Sequence, residues 1–138
     1  MILHENQLTA EQFCFLQESV GFGRPNMEQI QLALKNSMYR VSVEMDGKIV
    51  GMGRIVGDGA KICYLQDIFI HPDYQKQGVG TMVVDKLIEY IYNLKMPNGR
   101  LTIGLMAAKG KEEFYKKFGF RIRPNDNEGC GMVLNVDK

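Results

Sequence analysis

The chain has 138 residues, a formal net charge of +1 at pH 7 and 45% hydrophobic residues. This length suits a single domain over residues 1–138, and so balanced a charge gives no reason to expect a nucleic-acid partner. Charged and polar residues interrupt the beginning of the sequence, which is typical of neither a signal peptide nor a membrane span, so we expect no membrane partner and a cytoplasmic location.

Two short helices are predicted first. Thr9 and Gln12 form a capping-box pattern ahead of an apolar stripe that stops at Gly21. Asn26 and Gln29 repeat the signal ahead of a second stripe. The segment between these helices is therefore a loop.

An antiparallel meander follows. Apolar and polar residues alternate over 41–45, and Asp46-Gly47 is a two-residue hairpin turn into a strand over 48–56. A third strand, 64–70, is rich in β-branched and aromatic residues. Strict alternation along it would place Asp67 on one face with Cys63, Leu65 and Phe69, as a carboxylate on an apolar face.

A glycine-rich turn, residues 75–81, then leads into a long helix predicted from about 78 to about 93. The first N–H groups of a helix lack intrahelical partners, and Gly78 and Gly80 have no Cβ to keep a phosphate off the backbone. The spacing fits neither a P-loop nor a dinucleotide fingerprint, since Val83 stands where the latter needs a third glycine.

The remaining elements complete an α+β fold. They are a strand over 101–105, which a crossover makes parallel to 64–70, a helix over 111–118, and strands over 120–123 and 131–136. The predicted architecture is layered, with helices on both faces of a mixed, mostly antiparallel central sheet of six to seven strands.

Two motifs carry a family resemblance. The pattern Gln-x-x-Gly-x-Gly over 75–80, after a strand and before a long helix, resembles the pyrophosphate loop of the GCN5-related N-acetyltransferases (GNAT family). The stretch 113–120, an aromatic pair on a short helix ending in Gly-Phe, resembles that family's second signature. The order of elements agrees with the family over essentially the whole chain.

The resemblance implies that acetyl-CoA is the cosubstrate and that no metal is needed. In the family, the pantetheine arm pairs with the strand before the phosphate loop, and a tyrosine faces the thioester sulfur. Carried over to this sequence, the cofactor-binding residues are Ile68, Phe69, Ile70, Gln75, Lys76, Gln77, Gly78, Val79, Gly80, Thr81 and Tyr115.

Acetyl transfer by direct attack on the thioester needs a neutral amine, oxyanion donors and a donor for the leaving thiolate. By resemblance, Tyr115 is the donor to the thiolate. Gln66 stands where some relatives have a carboxylate or histidine, so the base is open: Asp67 is the catalytic candidate, Glu44 acting through water is an alternative, and the amine could also arrive neutral. Asp67 is equally well explained as a buried acceptor for backbone N–H groups. Ala108 replaces an asparagine that touches the cofactor in many relatives.

The acceptor is expected to be the primary amine of a small molecule. Phe22 and Arg24 in the loop between the first helices, with Arg54 and Gln66 on the strands, are the candidate substrate-binding residues. Two alternatives remain: a peptide or protein acceptor, and a CoA-binding sensor without turnover. An exposed edge at the C-terminal strand is compatible with a homodimer.

Overall fold

The computed structural model describes residues 1–137, and the chain divides into two compact units, Met1–Leu105 and Met106–Lys138. In chain order, the helices and strands of the first unit are β1 (Ile2–Glu5), α1 (Ala10–Ser19), α2 (Met27–Lys35), β2 (Tyr39–Met45), β3 (Lys48–Gly57), β4 (Ile62–Ile70), a 3₁₀ turn (Pro72–Tyr74), α3 (Val79–Tyr92) and β5 (Thr102–Gly104). The second unit contains α4 (Glu112–Lys116).

The predicted helix starts are confirmed by their side-chain caps. Thr9 accepts the Gln12 N–H at 3.1 Å, and the Gln12 side chain accepts the Thr9 N–H at 3.0 Å, which completes the capping box of α1. At α2, Asn26 accepts the Gln29 N–H at 2.9 Å. Each cap satisfies a donor that the helix itself leaves unpaired, so local sequence is enough to fix where these helices begin.

The sheet has five strands in the order β1-β2-β3-β4-β5. The first four pair antiparallel, and β5 pairs parallel with β4 after the crossover through α3. The predicted meander and parallel pair are thus confirmed. β1 was missed, because its four residues carry no alternation of their own and depend on long-range pairing with β2.

The two faces of the sheet are covered by different helices. A Cβ placed on Gly51 or Gly53 would meet side chains of α3, so these glycines face α3. Met52 lies between them and faces the other way, in a buried cluster with residues of α1 and α2. The apolar core is therefore split into an α3 side and an α1–α2 side.

The second unit has little regular structure. An isolated bridge joins Asn125 and Glu128, and Arg121 forms a bidentate pair with Glu128 at 2.7 Å for both bonds. Within residues 1–137, neither 120–123 nor 131–136 forms a strand. The predicted six to seven strands are therefore too many, because a strand-like pattern becomes a strand only where a partner supplies its hydrogen bonds.

Candidate functional site

The start of α3 presents unpaired backbone donors. The first bond within the helix runs from the Met82 N–H to the Gly78 carbonyl at 3.1 Å, so the N–H groups of Val79, Gly80 and Thr81 lie ahead of it. Gly78 holds a left-handed φ of 87°, has no side-chain cap, and is followed by a first turn without acidic residues. Among the described residues, this helix start offers an anion three donors and no competing negative charge in its first turn.

The predicted glutamines brace the loop. The Gln75 side-chain amide donates to the Ile70 carbonyl at 3.3 Å, and the Gln77 amide donates to the Asp73 carbonyl at 3.3 Å. Lys76 takes a left-handed φ of 62° between them. These bonds tie the loop to the end of β4, which fixes the helix start relative to the strand.

Within the first unit, the last part of β4 has no strand partner on the side of β5, and this side is termed its open edge. Its parallel pairing with β5 ends at Tyr64 and Gly104, whereas β4 continues to Ile70. The His71 N–H donates to the Val50 carbonyl on β3 at 2.8 Å, so alternation turns the backbone groups of Ile70 away from β3. The Ile70 carbonyl accepts the Gln75 amide, and the Ile70 N–H faces the open edge. An extended acyl-carrier chain could therefore pair with this edge in the way that the resemblance implies.

A β-bulge at Asp67 interrupts β4. Gln66 pairs with Arg54 and Phe69 with Met52, so two residues of β4 lie opposite Gly53 alone, and Asp67 has a left-handed φ of 55°. The strict alternation predicted for this strand is wrong, because the extra residue reverses the faces beyond it. A Cβ on Gly53 would lie 3.3 Å from Ile68, which faces α3, whereas Phe69 belongs to the α1–α2 cluster.

Asp67 is ion-paired and not on an apolar face. Its Oδ2 accepts the Arg54 Nε–H at 2.7 Å, and the two side chains are only 13% (Arg54) and 16% (Asp67) exposed. Arg54 also donates to the Ser37 hydroxyl at 3.2 Å, and Ser37 donates to the Ala33 carbonyl at 2.8 Å. The chain of bonds links the bulge to the end of α2. The catalytic role of Asp67 and the substrate-binding role of Arg54 stay predictions.

The other predicted acceptor residues lie around the α1–α2 loop. The exposed Phe22 ring is 5.9 Å from the Phe69 ring. Arg24 makes two bonds to the exposed Glu11 carboxylate, at 2.8 and 3.0 Å. Phe22 therefore adjoins the bulged part of β4, while the Arg24 guanidinium is held by α1.

In the second unit, Tyr115 lies on α4 among aromatic rings. Its ring centroid is 5.0 Å from that of Phe114 and 6.2 Å from that of Phe120, both edge-to-face. Burial raises the pKa of Tyr115 above its ordinary value. Gly119 ends the helical segment with a φ of 100°, a conformation that favours glycine. Tyr115 is thus a neutral hydroxyl donor over the physiological pH range.

Residues 1–137 contain no group of three or more His, Cys, Asp or Glu side chains placed to hold a metal ion. None of their helices combines the length and the apolar character that crossing a bilayer requires. A surface cavity of about 550 Å³ beside the β2–β3 hairpin is lined by His4, Glu44 and Lys48, among others. Glu44, the alternative base, pairs there with His4 at 3.0 Å.

The sequence analysis did not identify Gly51 and Gly53, the two β3 glycines on which α3 packs. A Cβ on Gly51 would lie 2.5 Å from Val79 Cγ1, closer than real Cβ contacts come. Val79 is the first residue of α3 and is 1% exposed. The absence of a side chain at Gly51 therefore lets the N-terminal end of α3 sit directly on β3. Two glycines at alternate positions of a strand are the signal that could have revealed it.

Comparison with known proteins agrees with this geometry. The acetyltransferase (GNAT) domain model matches residues 36–122, which continue across the boundary between the two units, and the single domain over 1–138 stays a prediction. The "Uncharacterized N-acetyltransferase ycf52" of Pyropia yezoensis is 32% identical over 90% of this chain and 70% of its own length. The "Histone acetyltransferase TAP1" of Glycine max is 30% identical over 86% of this chain and 54% of its own length.

A solved structure extends the likeness to the whole fold. Protein SA2161 from meticillin-resistant Staphylococcus aureus superposes with a TM-score of 0.84 at 26% identity, covering 98% of this chain and 100% of that one. The loop, the helix start and the open strand edge lie within the matched regions. The chain therefore belongs to the GNAT family of acetyltransferases and is an acyltransferase enzyme.

Proposed function

We propose that the chain transfers the acetyl group of acetyl-CoA to the primary amine of a small molecule by direct attack in a ternary complex. The observation that carries the proposal is the start of α3, where three N–H groups precede the first helical bond and no acidic residue lies in the first turn. A diphosphate fits this helix start, because each N–H group can donate to a phosphate oxygen and the helix dipole adds positive charge.

The reacting end of the cosubstrate would lie along β4. Acetyl-CoA supplies an activated thioester, and the open edge from Leu65 to Ile70 would hold its extended arm. The bulge at Asp67 redirects backbone groups at this point of the strand, and an N–H beside it would donate to the oxyanion of the tetrahedral intermediate. The chain would thus position the thioester with main-chain groups.

Tyr115 would donate a hydrogen bond to the departing thiolate. The ordinary pKa of a thiol, about 8.5, is below that of tyrosine, about 10, and burial raises the pKa of Tyr115 further. Full transfer of the phenolic proton to the thiolate is therefore uphill. A hydrogen bond that strengthens as charge develops on sulfur lowers the barrier without that transfer.

The amine must reach the carbonyl without a charge-bearing proton, and the N–H proton that it loses on forming the amide must pass to the departing thiolate or to water, so that the products are the amide and the CoA thiol. Asp67 is engaged by Arg54 at 2.7 Å, which leaves its second carboxylate oxygen for other donors. We infer that the Arg54–Asp67 pair fixes the bulge, and that an amine of small size enters beside Phe22. A protein lysine is the second candidate acceptor, since the relative from Glycine max carries the name of a histone acetyltransferase.

Two measurements test the proposal together. Calorimetry with CoA measures binding, and release of free thiol from acetyl-CoA across a panel of small amines and lysine peptides measures transfer. Binding followed by thiol release with small amines is expected. Thiol release with lysine peptides alone would refute a small-molecule acceptor and indicate a protein acceptor. CoA binding without thiol release in the presence of any amine would indicate a sensor. Absence of CoA binding at millimolar concentration would refute the proposed site.

The role of Tyr115 is tested by Tyr115→Phe. We expect kcat to fall about 10- to 100-fold, because a hydrogen bond to a charged group is worth about 1.5–3 kcal/mol, while the affinity for acetyl-CoA stays within about threefold. The packing against Phe114 and Phe120 is kept, so the melting temperature should not change. Tyr92→Phe, at a 70% exposed position on α3, is the control and should leave kcat unchanged. An unaltered kcat in Tyr115→Phe would remove this tyrosine from the mechanism.

A further inference from the structure

A cavity of about 550 Å³ lies between the β2–β3 hairpin and the N-terminal half of α1. Its walls come from β1, β2, β3, the hairpin turn and α1, all of which belong to the first unit. The volume is within the range of about 300–1,000 Å³ that is typical of small-molecule sites. The proposed acetyl transfer makes no use of this space.

A buried polar residue forms part of the cavity lining. Ser42 is 1% exposed, and among residues 1–137 it is the only polar residue buried as fully as the apolar core. It pairs with His4 on β1 and with Met52 on β3, so its side chain is on the α1–α2 side of the sheet. The His4 Nε2 lies 3.0 Å from the Glu44 carboxylate, which also lines the cavity. The lining thus holds a hydroxyl, an imidazole and a carboxylate together.

The charges of the lining have opposite signs. Glu11 is already held by Arg24 through bonds of 2.8 and 3.0 Å, which leaves Glu44 and Lys48 as the charged groups for a ligand. Gln12 uses its side-chain oxygen in the capping box of α1, so its amide N–H groups are left to donate. Glu44 suits an ammonium group, whereas Lys48 and Gln12 suit a carboxylate. The lining therefore favours a zwitterion over a simple amine or a simple carboxylate.

One wall of the cavity is apolar. The Phe15 ring is 51% exposed, and Ile49 lies in the lining with it. An apolar group of the ligand would remove this surface from water, which is favourable. An α-amino acid with an apolar side chain carries all three of the required groups, namely an ammonium, a carboxylate and an apolar chain.

A ligand in this cavity would lie away from the open edge of β4. Glu44 is on β2, two strands from β4 in the sheet. Neighbouring strands are about 4.7–4.9 Å apart, so an amine held by Glu44 is separated from β4 by about 10 Å. Attack on a thioester requires the reacting atoms to approach to about 3–3.5 Å. The cavity is therefore suited to an effector and not to the acetyl acceptor.

Two contacts connect the cavity to the 3₁₀ turn ahead of the loop over 75–81. The Phe15 ring stacks on His71, with centroids 5.7 Å apart and planes at 16°, and the His71 Nδ1 accepts the Asp73 N–H at 3.1 Å. On the hairpin side, the Tyr74 hydroxyl donates to the Asp46 carboxylate at 3.3 Å. A ligand that holds Phe15 and the hairpin in place therefore restrains the turn between them.

We propose that the cavity is an effector site for a free α-amino acid with an apolar side chain. The ligand's ammonium group pairs with Glu44, its carboxylate with Lys48 and Gln12, and its side chain covers Phe15. Bound in this way, it restrains the turn Pro72–Tyr74 and the loop that follows. Because the turn leads into the start of α3, the effector and any ligand of that helix start favour each other's binding reciprocally.

Calorimetry with matched probes tests the ligand class. L-leucine, L-methionine or L-phenylalanine should bind the full chain with a Kd below about 1 mM. Isopentylamine and 4-methylpentanoate, which are leucine without its carboxylate and without its amine, should bind at least about tenfold more weakly, since each loses a charged pairing. No binding of any of the three amino acids up to about 10 mM, or equal binding of leucine and isopentylamine, would overturn the proposal.

A pair of glutamate variants tests the location of the site. Glu44→Gln keeps the size of the side chain and removes its charge, so the Kd for L-leucine should rise about 10- to 100-fold. Glu18→Gln makes the same change at an exposed position on α1 outside the cavity lining and should leave the Kd unchanged. Equal affinities in the two variants would show that the amino acid does not bind at Glu44.

Hydrogen exchange tests the effector role without CoA, so its outcome is separate from that of the proposed acetyl transfer. Saturating L-leucine should slow amide exchange in peptides spanning 71–82 at least about threefold. Phe15→Leu keeps an apolar wall but removes the stack on His71, so leucine should still bind while this slowing is lost. Exchange that is unaffected by leucine in the wild type would refute the effector role, and slowing that persists in Phe15→Leu would refute the route through the ring.

Discussion

Substituting Gly51 with alanine should damage cosubstrate binding from beneath the phosphate loop. The added Cβ would lie 2.5 Å from Val79 Cγ1 and 3.0 Å from Ile70 Cδ1, whereas ordinary contacts are 3.4–4 Å. Val79 is 1% exposed and its β-branched side chain has little rotamer freedom, so it cannot simply turn aside. The first turn of α3 must therefore lift from the sheet by about 1 Å.

The expected magnitudes follow from this displacement. Overpacking by one methyl group costs about 1–3 kcal/mol, which for a chain of this length lowers the melting temperature by roughly 3–10 °C. A shift of about 1 Å stretches N–H···O contacts near 2.9 Å beyond hydrogen-bonding range. Losing one such bond to a charged phosphate costs about 1.5–3 kcal/mol, so the affinity for CoA should fall about 10- to 100-fold.

Gly53→Ala is the matched control. Its Cβ would lie 2.8 Å from Val83 Cγ1 and 2.9 Å from Leu87 Cδ1, on the same helix but one to two turns beyond its start. We expect a similar loss of melting temperature in calorimetric scans, with CoA affinity changed less than about threefold in titrations. Equal CoA affinities in the two variants, measured well below their melting temperatures, would refute the coupling between Gly51 and the helix start.

Variants at two further places in the chain, the Arg54–Asp67 pair and Asp58, test the electrostatics. Arg54→Met leaves the mostly buried Asp67 carboxylate without its cation and should lower the free energy of unfolding by about 2–3 kcal/mol, somewhat less than for a fully buried pair. Adding Asp67→Asn removes the unpaired charge and should restore part of this free energy. If denaturant titrations show no recovery in the double variant, the pair does not stabilise the fold. Asp58 accepts three backbone N–H bonds, from Ala60, Lys61 and Ile62, which lower its pKa to about 2. Its stabilisation is present above the unfolded pKa near 3.9 and lost as pH falls towards 2, so the melting-temperature deficit of Asp58→Ala should shrink over that interval.

Local signals predicted most of the fold because they are self-contained. The caps at Thr9 and Asn26 and the turn at Asp46-Gly47 depend on neighbouring residues, and each element they predicted is present. β1 depends on pairing with β2, which is distant in sequence. Periodicity alone could therefore neither reveal β1 nor show that 131–136 forms no strand within the described residues 1–137.

The backbone geometry of the loop over 75–81 was predictable because it is set locally, while its binding of a phosphate stays a prediction. Glycine spacing and the following helix are both encoded in 75–81, and the free N–H groups follow from helix geometry. The Arg54–Asp67 pair was not predictable, because strict alternation separates the two side chains and only the bulge brings them together. Asp67 in a left-handed conformation leaves no pattern in a single sequence.

The bulge also divides β4 into two parts whose side chains alternate in opposite phase. Before Asp67, Cys63 and Leu65 are buried; after it, Phe69 contributes to the α1–α2 core. The side of β4 that faces α3 therefore carries odd positions up to Leu65 and even positions from Ile68 onwards. Deleting one residue here would exchange the α3 side and the α1–α2 side of the strand end that leads into the loop over 75–81, so the length of β4 is under tighter constraint than most of its side chains.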